Sequence, residues 1–139
     1  MGGLTVRGVN HVSINARDLE RSASFYVDVL GFRRLETVPL DGFSITYFQI
    51  PGGARLELFD YGGGSRAAPR EESDVGLRHL AFTVPDVRAA EKQLRDKGVP
   101  IVLPCTDLKE LGARVLLFTD PSGVTLEFCE PLTTKESFE

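Results

Sequence analysis

Residues 9–31 read VNHVSINARDLERSASFYVDVLG, and residues 77–98 read LRHLAFTVPDVRAAEKQLRDKG. Each stretch opens with a short strand-like run that carries a histidine, His11 or His79. Each places an aspartate seven residues later, Asp18 or Asp86, and then follows a helical pattern to a glycine, Gly31 or Gly98. Self-similarity at a fixed spacing is the mark of a duplicated structural unit. The aspartates suit helix N-caps, because a short carboxylate accepts the first free amide hydrogens of a helix. The glycines suit helix ends, where the chain often turns left-handed.

Moving outward, residues 43–59 (FSITYFQIPGGARLELF) and 113–128 (ARVLLFTDPSGVTLEF) repeat as well. Each is a pair of strand-like runs around a Pro- and Gly-containing turn, and each ends in Leu-Glu-(Leu/Phe). His79 follows His11 by 68 positions and Glu127 follows Glu57 by 70, so the landmarks keep a near-constant offset. The pattern predicts strands near 8–15, 32–38, 44–50 and 54–60, then near 77–84, 100–103, 113–119 and 123–129, with helices near 18–30 and 86–97. Leu19, Ala23, Tyr26 and Leu30 form one apolar stripe, and Val87, Ala90 and Leu94 the other. The expected fold is α+β, with two tandem βαβββ modules, about 7–60 and 77–131. The Gly-, Pro- and charge-rich segment 61–76 is expected to link them within a single domain over 5–132.

Side chains alternate across a strand. Leu56 and Leu58, Leu80 and Phe82, and Leu126 and Phe128 therefore share apolar faces meant for the helices. The opposite faces carry His11, Ser13 and Asn15; Arg55, Glu57 and Phe59; His79; and Glu127 with Cys129. A lone His or Glu on a strand is usually structural. Here the chain's two histidines stand at matching places in the repeat, and so do two glutamates in matching apolar settings. Two imidazoles and two carboxylates suit one divalent transition ion, with positions left for water or substrate oxygens. Such an ion acts as a Lewis acid and stabilises an enolate, while a neighbouring carboxylate moves a proton. Arg55 is placed to hold a substrate anion, and Cys129 reads as a small buried filler.

The bulk properties exclude other classes. The 139 residues are 42% hydrophobic, enough for a core, and the net charge of −4 includes no basic patch, so nucleic acid is not an expected partner. No apolar run is long enough for a membrane span. The opening Met-Gly-Gly-Leu-Thr lacks the features of a signal peptide. The two cysteines, Cys105 and Cys129, have no CxxC spacing, which suits a reducing compartment. The expected location is the cytoplasm.

The pieces NHVSINARDLERSASFYVDVLGF, RLELF, LRHLAFTVPDV and FTDPSGVTLEF together resemble the vicinal oxygen chelate superfamily. That group includes glyoxalase I, methylmalonyl-CoA epimerase, fosfomycin-modifying enzymes, extradiol dioxygenases and bleomycin-binding proteins. The similarity runs from residue 7 to about 131 and implies paired βαβββ modules forming a curled mixed sheet around a metal-binding cavity, with one metal site. Position by position, it implies His11, Glu57, His79 and Glu127 as ligands in the first, fourth, fifth and eighth strands. The His-Glu-His-Glu set is most similar to glyoxalase I and short lyase-like relatives, and implies Glu127 or Glu57 as proton carrier. Asn15 stands where glyoxalase I has an arginine for the glutathione carboxylate, and Tyr61 where it tends to have an asparagine. Losing a cationic anchor removes a charge-assisted hydrogen bond worth about 1.5–3 kcal/mol. The expectation is therefore a metal-dependent lyase or isomerase that transfers a proton next to a carbonyl of a small substrate not anchored as glutathione. Ser13, Asn15, Arg55 and Phe59 are its expected substrate contacts. The ion is Ni, Co, Zn, Mn or Fe. The alternatives are an epimerase of acyl thioesters, a drug- or metabolite-binding protein without turnover, and an Fe(II)-dependent dioxygenase. Segment 61–76 is long enough to let two chains exchange halves, so a homodimer is expected.

Overall fold

A computed structural model describes residues 3–64 and 71–132. The chain divides into two compact units, Met1–Ser65 and Arg66–Glu139. The first contains β1 (His11–Ala16), α1 (Leu19–Ser24) running into one wide helical turn (Phe25–Val29), β2 (Arg33–Leu40), β3 (Phe43–Gln49) and β4 (Arg55–Asp60). The second contains β5 (Leu80–Thr83), α2 (Val87–Asp96), β6 (Ile101–Leu108), a short 3-10 turn (Lys109–Leu111), β7 (Ala113–Thr119) and β8 (Thr125–Pro131). Each unit is βαβββ, as the repeat predicts. Each has a four-stranded mixed sheet, ordered β1-β4-β3-β2 or β5-β8-β7-β6, whose first pair is parallel and the rest antiparallel. The expected linker 61–76 falls partly on residues 65–70, which lie outside the described residues.

Both caps form. The Asp18 carboxylate accepts from the Arg21 amide at 3.2 Å, and Asp86 accepts from Ala89 at 3.0 Å. Gly31 and Gly98 end the helices at φ 76° and 73°, where a side chain is strained. The first helix departs from the regular pattern expected over 18–30. It has one more residue between cap and glycine than the second, 13 steps against 12. The extra residue is absorbed as a π-type turn, in which the Leu30 amide donates to the Phe25 carbonyl five residues back at 3.2 Å.

β1 and β5 start later than predicted, for a common reason. In the observed registers, His11 pairs with Arg55 and Leu80 with Leu126. Residues before His11 and His79 would face the turns around 51–53 and 121–124, where no partner strand exists. His79, level with Thr125 at the start of β8, stands at the mouth of β5 and not within it. β6 runs to Leu108, beyond the predicted 103, because β7 pairs with it along its length through two register shifts. Pro104 is tolerated there because β6 is an edge strand.

The core of each unit lies between helix and sheet. Leu56, Leu58, Tyr26 and Phe48 are buried completely in the first, as are Val87, Leu116, Phe118 and Leu126 in the second. Truncating a residue of this kind to alanine costs about 2–5 kcal/mol. These apolar faces are the ones alternation assigned to the helices, which leaves the His- and Glu-bearing face of each sheet on the other side.

Candidate metal centre

The parallel pairing of β1 with β4 puts Glu57 level with Ser13, one strand repeat beyond His11 on the same face. The pairing of β5 with β8 puts Glu127 level with Ala81, in the same relation to His79. One register, used twice, brings a histidine and a glutamate together in each unit. His11 Nε2 lies 3.5 Å from Glu57 Oε1, and His79 Nε2 lies 2.7 Å from Glu127 Oε1. The same atoms meet in both pairs.

The surroundings of the pairs differ. In the first unit, Ser13 Oγ donates to Glu57 Oε1 at 2.7 Å, and Tyr47 stands directly opposite Glu57 on β3. Burial, and then the Glu57 charge, push the Tyr47 phenol above its ordinary range. His11 Nδ1 lies 2.6 Å from the acceptor Asn10 Oδ1. The hydrogen therefore belongs on Nδ1, and the Nε2 lone pair is turned toward Glu57. In the second unit, Ala81 and Leu117 stand at the places of Ser13 and Tyr47 and offer Glu127 no hydrogen bond. His79 Nδ1 is buried without a partner among the described residues.

The donors fit a divalent ion. Two ligand atoms about 2.1 Å from an ion and about 90° apart are separated by about 3.0 Å. The separations of 3.5 and 2.7 Å lie on either side of that value. Each pair thus matches two neighbouring coordination positions. Among the described residues, no three or more His, Cys, Asp or Glu side chains gather into a group able to hold an ion. The four expected ligands are therefore present as two pairs, one in each unit.

The remaining expected site residues lie on the same face of the first sheet. Arg55 is 3.6 Å from Glu36, and its guanidinium sits 5.0 Å from the centre of the Tyr47 ring. Both partners of that ion pair are well exposed, so it holds Arg55 only weakly. Asn15 is exposed and level with Phe59, whose ring stacks with Phe43 at 5.7 Å between ring centres. Ser13 acts on Glu57. Cys129 is half-buried beyond Glu127 on β8, and burial followed by the Glu127 charge raises its thiol pKa. Sequence reasoning missed Asn10 and Tyr47. Asn10 was readable as the acceptor adjoining His11, whereas Tyr47 becomes a neighbour of Glu57 only through the β3–β4 register.

The comparisons agree with this architecture. The family model for the Glyoxalase/Bleomycin resistance protein/Dioxygenase superfamily matches residues 8–128. The uncharacterized protein YwkD of Bacillus subtilis (strain 168) is 32% identical, covering 91% of this chain and 99% of its own length. A lactoylglutathione lyase of Haemophilus influenzae is 31% identical over 90% of this chain and 93% of its own. A mitochondrial methylmalonyl-CoA epimerase of Mus musculus is 30% identical over 86% and 70%. The crystal structure of a glyoxylase/bleomycin resistance protein/dioxygenase domain from Frankia sp. EAN1pec superposes with a TM-score of 0.77 at 29% identity, covering 91% of this chain and 99% of that one. On the match over nearly all of its length and the duplicated βαβββ fold, the chain belongs to the glyoxalase/bleomycin resistance protein/dioxygenase superfamily.

Proposed function

We propose that the protein is a metal-dependent lyase or isomerase of the glyoxalase type, in which His11, Glu57, His79 and Glu127 hold one divalent ion and a carboxylate moves a proton beside a substrate carbonyl. The observation that carries this reading is the recurrence of one His Nε2–Glu Oε1 pair at one register in both units. The ion, when bound, supplies Lewis-acid polarisation of a carbonyl. The two pairs complete the ligand set either from the halves of one chain or from halves of two chains in a homodimer.

The chain's own groups divide the remaining work. Asn10 fixes the His11 tautomer so that Nε2 is the donor atom. Ser13 fixes Glu57, which makes it a stationary ligand. Among the described residues Glu127 has no such restraint beyond His79, so it is the carboxylate free to swing, and its Oε1 takes and returns the proton. Arg55 attracts an anionic substrate group to the face that carries Glu57. With Asn15 and Tyr61 at the places named above, a glutathione carboxylate has no cationic partner there, and the substrate is a small oxygenated molecule of another kind.

The test combines metal analysis of the purified protein with a screen of hemithioacetals and acyl thioesters on wild type and Glu127→Gln. The expected result is a bound divalent ion, turnover of one substrate class, and loss of about 10²–10⁴-fold in kcat for the variant with its ion retained. Normal turnover by Glu127→Gln refutes the proton-carrying role. Turnover of acyl thioesters alone assigns the epimerase reaction.

A further inference from the structure

Next to Glu57, the first sheet presents three aromatic rings that the chemistry above leaves unused. Phe43 and Phe59 are 5.7 Å apart between ring centres, Phe43 and Tyr61 4.9 Å, and Phe59 and Tyr61 6.3 Å, with planes inclined by only 11°, 24° and 21°. The three centres form a triangle and not a column, so none of the rings is sandwiched between the other two. They lie like offset tiles. Tyr61 remains 56% exposed. Phe59 follows Glu57 by two residues on one face of β4, about 7 Å along the strand from that carboxylate, and Tyr61, just past the strand, stands about 13 Å from it. Asn15, level with Phe59 in the β1–β4 register, puts an exposed amide at their margin.

We infer that the Phe43–Phe59–Tyr61 cluster is the subsite that selects the substrate, and that the substrate carries a planar conjugated group beside its paired oxygens. The inference rests on the metal-dependent reading above and adds the substrate class to it. Offset-parallel stacking on tiled rings favours a flat π-system over a flexible aliphatic chain of equal area. A molecule whose two oxygens approach the His11–Glu57 pair lays its ring over Phe59 and extends it toward Tyr61. Tyr61 also occupies the place where glutathione-using relatives tend to carry an asparagine, so the position exchanges a polar anchor for an aromatic surface.

Two probes with one chelating group isolate the effect. Acetohydroxamate and 2-naphthohydroxamate bind a divalent ion through the same two neighbouring oxygens and differ only in the ring. Calorimetric titration of the full chain loaded with Zn²⁺ is expected to show 2-naphthohydroxamate binding about tenfold or more tightly than acetohydroxamate. Tyr61→Leu, which keeps apolar bulk at an exposed position, is expected to erase most of that preference, while Tyr61→Phe keeps it and acetohydroxamate binds all three proteins alike. Equal affinities in the wild type, or a preference that survives Tyr61→Leu, overturn the inference. So does a loss of dimer in Tyr61→Leu with the ring preference intact, which assigns the cluster to a contact between chains. Binding of both hydroxamates that ignores Zn²⁺ defeats the metal reading, whereas metal-dependent binding without ring preference defeats only the subsite.

Discussion

The residue that separates the two halves most clearly is Ser13. Its hydroxyl holds Glu57 at 2.7 Å, while Ala81 at the matching place leaves Glu127 without such a tie. Groups that orient a metal ligand from outside commonly change metal affinity about 10–100-fold when removed. Ser13→Ala is expected to weaken divalent-ion binding about tenfold, measured by competition with a chromophoric chelator, with the fold unchanged by circular dichroism. Ala81→Ser, which gives Glu127 the same tie, is expected to lower kcat more than it changes ion affinity. An equal effect on both quantities contradicts the division of labour between the two carboxylates.

At the scale of elements, the second unit carries an acid-sensitive clasp. Arg114 on β7 forks onto Asp107 on β6 at 2.6 and 3.3 Å, across a registered cross-strand pair. The guanidinium hydrogen bond holds the Asp107 carboxyl below its ordinary value of 3.8, and the same contact raises Arg114. A folded pKa below the unfolded one means that the pair stabilises the unit above the unfolded value. That contribution is lost as pH falls through the folded value. Thermal unfolding of wild type and Asp107→Asn is therefore expected to differ at about pH 6 and to converge toward about pH 3. A constant difference across that range contradicts the assignment. The strand ends that escaped sequence reading have a related origin. Periodicity showed that strands existed near His11 and His79, but only the pairing partner fixes where a strand begins. The Thr106–Asp107 segment of β6 hid its strand character because its polar residues are satisfied by Arg114 and by turn hydrogen bonds that no local pattern reveals. The wide turn after Ser24 was in principle readable, since the extra residue between Asp18 and Gly31 is visible by counting.

At the scale of the whole molecule, duplication made the fold legible. Two copies of one βαβββ plan share their caps, terminal glycines and His–Glu register, and each landmark was recognisable because its twin stood at the same offset. The copies also differ, with Ser13 against Ala81, Tyr47 against Leu117 and Asn10 against Arg78. The Ser13 difference acts through a contact between strands 44 residues apart in the chain, which no local pattern displays. The homodimer reading belongs to this scale too. Light scattering is expected to give a mass about twice 15.3 kDa. A monomer with full metal binding removes the exchange of halves between chains while leaving the ligand set intact.

The proposed function requires both His–Glu pairs to serve a single ion. Metal stoichiometry by equilibrium dialysis with elemental analysis, on wild type, His11→Ala and His79→Ala, tests it most directly. The expected result is one tightly held divalent ion per chain in the wild type and loss of that ion in either variant. Two ions per chain, or one variant that keeps the ion as firmly as wild type, contradicts it.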